Sequence, residues 1–199
     1  MRSIWTFSLL LLIFLSCQNN NKSSVINNTE EEPELPDTTK DVVAFFPVTD
    51  FIKGEIEKIK LSGKNPIKYF KNKENKEDSI WIKVQELESE FKEFYTPIID
   101  SANDSKYYVE KKFVDNSINA ITLTYDPLGD LPINKPWKHW DIYINPENNT
   151  ITRIYLVKLL SDSCIRQLTW TPEKSCKALT IQNSNNKSSF VKDEVIIKW

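Results

Sequence analysis

The 199-residue chain balances 26 Lys and Arg against 28 Asp and Glu, so it projects no basic field that would gather nucleic acid or anionic lipid. Its isolated glycines, Gly54, Gly63 and Gly129, build neither a phosphate-cradling loop nor a dinucleotide-binding turn. His139 is the one histidine, which excludes multi-histidine metal sites, and no nucleophile elbow accompanies it, so no cofactor is expected and no catalytic residue stands out.

Met1-Arg2 gives a short positive start, and Ile4 to Leu15 is an almost unbroken apolar run. The run is too short for a bilayer span, which needs roughly 20 apolar residues, and fits the ~7–15-residue apolar core of a signal peptide. It closes on Leu15-Ser16-Cys17. That ending resembles the bacterial lipobox, with Phe14 standing where the pattern usually has Leu. The resemblance implies that residues 1–16 are removed, that Cys17 is lipidated through its sulfur, and that the acyl chains hold the protein to a membrane. By the same resemblance, the non-acidic Gln18 points to the outer membrane, facing the periplasm, with surface display as the alternative.

From Gln18 to Lys40 only Val25, Ile26 and Leu35 are apolar, so residues 17–40 are expected to be a lipidated Cys and a disordered tether. As a coil, this stretch would have an r.m.s. span of roughly 26 Å. Its acidic cluster, Glu30, Glu31, Glu32, Glu34 and Asp37, reads as solvated, self-repelling charge. The remaining segment, 41–199, has the size of one domain with a sizeable core.

Within that segment, Phe51, Ile52, Ile56 and Ile59 recur at helical spacing behind Thr49 or Asp50, and Gly63 with Pro66 stops the pattern. Ile67 to Phe70 suits a short strand, whereas Ile80-Trp81-Ile82 is ambiguous between strand and helix. Val84, Leu87, Phe91, Phe94 and Tyr95 form a second helical stripe, ended by Pro97. From Lys106 the apolar period changes to 2. Candidate strands are 106–114, 118–125, 137–144, 151–159, 165–170, 176–182 and 191–199, divided by Asn- and Ser-rich turns. The expected fold is α+β: an antiparallel meander sheet of about six to seven strands with two N-terminal helices packed on one face.

The turn Asn145 to Thr150 fixes one pairing. With Ile142 opposite Ile154, Trp140 meets Leu156 and Ile144 meets Thr152, which makes one apolar face. The other face carries His139, Asp141, Tyr143, Arg153 and Tyr155, with Tyr143 opposite Arg153, Asp141 opposite Tyr155, and Arg153 reached by Asp141 only diagonally. These five residues are the candidate binding face. A turn centred on Pro172-Glu173 likewise puts Cys176 beside Trp170 and leaves Cys164 roughly 20 Å away, beyond the ~7 Å a disulfide tolerates, so both are expected as free thiols. The functional expectation is a lipid-anchored envelope module that binds an envelope protein or small ligand without catalysis. A structural or inhibitory lipoprotein, serving immunity or envelope stress, is the alternative, and an envelope hydrolase ranks last.

Overall fold

Alternation of apolar and polar side chains, clearest at Leu168 and Trp170 and at Cys176 and Ala178, produces strands with one face able to bury and one more open to solvent. The computed structural model describes residues 44–71, 76–183 and 188–199, all within the unit Thr39–Trp199. Cys17 and the stretch up to Val43 lie outside the described residues, so the leader and tether are not addressed by it. In chain order the elements are α1 (Val48–Leu61), β1 (Ile67–Lys71), β2 (Glu77–Trp81), α2 (Leu87–Phe91), α3 (Ser101–Asp104), β3 (Tyr108–Asp115), β4 (Ala120–Pro127), β5 (Trp137–Ile144), β6 (Ile151–Ser161), β7 (Cys164–Thr171), β8 (Ser175–Asn183) and β9 (Ser189–Lys198). Short 3₁₀ turns, Val84–Glu86 and Lys92–Phe94, flank α2.

The strands form one antiparallel sheet in the order β2-β1-β9-β8-β7-β6-β5-β4-β3. β3 to β9 are a simple meander, and the β1–β2 hairpin joins its far side by pairing Ile67 with Lys198. Turn residues make the reversals: Asn119, Asn149 and Glu173 all have positive φ, a conformation Asn tolerates better than most side chains. In the β5–β6 turn, Asn145 also accepts from the Glu147 backbone through its side chain at 2.8 Å.

The helices cover one face. Val48, Ile52, Ile56 and Ile59 of α1 are buried, as are Trp140, Ile142, Ile154, Leu156, Leu168, Trp170 and Ala178 beneath the helical layer. Phe45 meets the Tyr125 and Trp140 rings at centroid distances of 5.0 and 6.2 Å. Each fully buried large apolar side chain stabilises the fold by about 1.5–3 kcal/mol. Arg166, on the same side of the sheet, fastens the covering layer: its guanidinium donates to both Glu93 carboxylate oxygens at 2.9 and 3.0 Å and to Asp193 at 2.8 Å.

Two expectations about the fold are corrected. The sheet has nine strands, not six to seven, because Ile67–Lys71 and the fully exposed β2 add a hairpin. β2 has the sequence Glu-Asp-Ser-Ile-Trp, poor in strand-forming residues, and it is held by pairing with β1 and by Ile82 donating to the Pro66 carbonyl at 2.8 Å. The two-helix α+β description also fails, because the second helix is a single α-helical stretch of five residues between 3₁₀ turns, and a four-residue α3 follows. The domain is a β-sheet with short helical cover. A 3₁₀ turn eclipses residues three apart, and here Phe91 and Phe94 both set their rings edge-on to Trp170, at 5.2 and 5.5 Å.

Candidate functional site

On the uncovered face, β5 pairs with β6 through Asp141↔Tyr155, Ile142↔Ile154 and Tyr143↔Arg153, the register the turn chemistry predicts. One expected pair differs: a bulge after Tyr143 puts Ile144 opposite Ile151 in place of Thr152. Above the turn, Trp140, Ile142, Ile154 and Leu156 are wholly buried on the helix side, so strand parity sends His139, Asp141, Tyr143, Arg153 and Tyr155 to the opposite side.

The structure brings these five together and adds residues that β5–β6 pairing alone does not reveal. β4 supplies Thr124, opposite Asp141, and Asp126; β3 supplies Lys111, opposite Thr124. His139 is clamped between two carboxylates. Its Nδ1 lies 2.8 Å from Asp126 Oδ1 and its Nε2 lies 2.9 Å from Asp141 Oδ2. Two carboxylate acceptors, one at each ring nitrogen, are satisfied together by the imidazolium, in which both nitrogens donate. Asp141 also accepts from Thr124 Oγ1 at 2.6 Å and from the Tyr143 hydroxyl at 3.2 Å, and Lys111 Nζ donates to Asp126 at 3.0 Å.

Electrostatics follow from these bonds. The hydrogen bond to Asp141 raises the His139 pKa above its ordinary value, against the cost of burial and with help from Asp126. Burial works to raise Asp141, but the bonds from His139 and Thr124 outweigh it and hold that carboxyl below the usual range. Asp126 behaves likewise, held down by His139 and Lys111. Burial and then the Asp141 charge push both Tyr143 and Tyr155 up, so these phenols stay neutral donors near pH 7.

Arg153 does not close the diagonal to Asp141. Its guanidinium carbon sits 3.9 Å from the centre of the Tyr143 ring, a stacked cation–π contact on the exposed side. Beneath lies Thr122, opposite both Tyr143 and Phe113; it is buried, and its hydroxyl has no hydrogen-bond partner among the described residues.

A base needs a free lone pair, and both His139 nitrogens are engaged. Among the described residues no group of three or more His, Cys, Asp or Glu side chains is placed to hold a metal ion. Cavities of about 210 and 460 Å³ open elsewhere, at the β1–β2–β9 corner and between the loops after β4 and β6, and neither includes the five face residues.

Cys164 and Cys176 are free and buried. Cys176 pairs with Trp170 while Cys164 pairs with Gln182, so strand length separates the two sulfurs. No protein-family model, curated protein or solved structure matches this chain.

Proposed function

We propose that this chain is a lipid-anchored protein of the bacterial cell envelope, held through Cys17, that binds a protein partner on the uncovered face of its sheet. Leader and anchor rest on the lipobox resemblance, which points to the outer membrane facing the periplasm, with the cell surface as the alternative. One observation carries the binding reading. Toward the β3 side of the uncovered face, Asp126, His139 and Asp141 form one bonded cluster beside Tyr143, whose hydroxyl donates to Asp141 at 3.2 Å and whose ring carries the exposed Arg153 guanidinium. Tyrosine and arginine dominate the residues whose truncation weakens protein interfaces, and rigid ones lose little entropy on binding. The cavities at the β1–β2–β9 corner and between the loops after β4 and β6 lie away from this cluster, which favours contact with a protein surface over an enclosed small molecule.

Alanine at Tyr143, Arg153 and Tyr155, each in the full lipidated chain, tests the reading. The expected result is loss of the crosslinked partner in at least one variant with an unchanged melting temperature. Undiminished crosslinking in all three would refute it. Acylation is read separately, from the mass of the mature N-terminus.

A further inference from the structure

A second feature lies at the opposite end of β5 and β6 from the Asn145–Thr150 turn. The long loop between β4 and β5 and the short one between β6 and β7 lie side by side, joined where Leu159 donates to the Pro136 carbonyl at 2.8 Å. Three large aliphatic side chains stand out nearby: Ile133, 105% exposed, and Leu128, 63%, on the β4–β5 loop, and Leu160, 52%, at the end of β6. The first is not loosely displayed. Lys135 donates to the Pro132 carbonyl at 2.8 Å, closing a turn around Ile133, and its ammonium is tied to Asp104 at 2.5 Å. Exposed aliphatic residues scattered singly call for no explanation, but Ile133 and Leu160 line one cavity between the two segments, and Leu128 starts the same loop as Ile133, so the three mark one tip.

That tip is linked through α3 to the first described residues of the chain. Phe45 donates to the Ser101 hydroxyl at 2.7 Å, at the start of α3, and the last residue of α3 is the Asp104 that holds Lys135. The loop and Phe45 thus sit at either end of one four-residue helix. The loop charges oppose one another, Asp130 and Asp162 with Lys138, so attraction to an anionic surface is not what the tip offers. It offers apolar side chains of the size that enters the interfacial zone of a bilayer.

We infer that Leu128, Ile133 and Leu160 dock the domain on the lipid surface to which Cys17 anchors it, leaving the Tyr143–Arg153 patch clear of the membrane. This rests on the anchor reading. Three inserted side chains would hold an unanchored protein only feebly. A tethered domain meets the bilayer at an effective concentration on the order of mM, and weak insertion is then enough to orient it.

The test uses the full lipidated chain in phosphatidylcholine vesicles, with an environment-sensitive fluorophore on Ile133→Cys or, at the far end of the sheet, Asn148→Cys. Cys164 and Cys176 are buried and Cys17 is blocked by its lipid, so labelling is selective. The expected result is a blue shift and a several-fold loss of aqueous quenching at position 133 on moving from detergent-free buffer to vesicles, with position 148 unchanged. Equal quenching at both positions in a chain whose Cys17 is acylated overturns the docking and leaves the anchor standing. Protection of position 133 without vesicles assigns the tip to a second copy and also overturns it. An unacylated Cys17 overturns both readings.

Discussion

His139→Gln removes the one cation that joins the carboxylates of β4 and β5, and its cost should depend on pH in a way that neither packing loss nor cavity formation can imitate. Charge-assisted hydrogen bonds are worth about 1.5–3 kcal/mol each. The Asp126 side chain is 34% exposed and keeps Lys111, so most of the loss falls on Asp141, whose side chain is 11% exposed and keeps Thr124 and Tyr143. Relief of imidazole desolvation offsets part of it, leaving an expected net destabilisation of about 2 kcal/mol near pH 6. The folded-state pKa of His139 is raised, so its contribution is fully present below the unfolded value of about 6.5 and is lost as pH rises through the folded value. Asp141 and Asp126 are depressed, so theirs is present above about 3.9 and is lost as pH falls through their folded values. The difference between parent and variant is therefore greatest from about pH 4 to 6.5. Urea unfolding of a soluble Cys17→Ser form at pH 5.5 and pH 9 measures it. A difference equal at both pH values, or larger at pH 9, would refute the clamp.

Three further outcomes follow from the same geometry. Thr122→Val replaces a buried hydroxyl that has no partner among the described residues with a methyl group of the same shape, and urea unfolding should show it neutral or stabilising by up to about 1 kcal/mol. Trp170→Ala takes away the indole on which Phe91, Phe94 and Trp199 converge, at a cost of about 3–5 kcal/mol, readable as a large fall in thermal midpoint. Thiol titration of the soluble Cys17→Ser form should find Cys164 and Cys176 slow to react when folded, since burial pushes the Cys176 thiol well above its ordinary pKa, and both reactive once unfolded without reductant.

The meander from β3 to β9 was legible because each strand alternates and each reversal carries residues suited to it. Asn145 to Thr150 is the clearest case, and it predicted four of the observed pairs: Trp140 with Leu156, Asp141 with Tyr155, Ile142 with Ile154, and Tyr143 with Arg153. It missed Ile144 because a bulge adds a residue that leaves no mark in the hydrophobic pattern. β2 was not legible, since its charged residues become a strand only when β1 provides an edge, and β1 itself pairs with a strand more than a hundred residues away. The second helix misled for a related reason: apolar spacing at Leu87, Phe91 and Phe94 fits α and 3₁₀ winding alike until Trp170 is there to pack against. In the site, Asp126, Thr124 and Lys111 escaped attention because the nine residues from Leu128 to Pro136 hide the register between β4 and β5. Polar residues at alternate positions 122, 124 and 126 were the signal present in the sequence.

Placing a photo-crosslinking residue at Thr169, opposite Tyr155 on the uncovered face, and in a second variant at Glu57 on exposed α1, tests most directly which side of the sheet meets a partner. In cells producing the full lipidated chain, illumination should give a discrete protein adduct from position 169 that disappears when Arg153→Ala is added, and none from position 57. An adduct from position 57 alone, or one from 169 that survives Arg153→Ala and Tyr143→Ala together, would contradict a binding face centred on the His139 clamp.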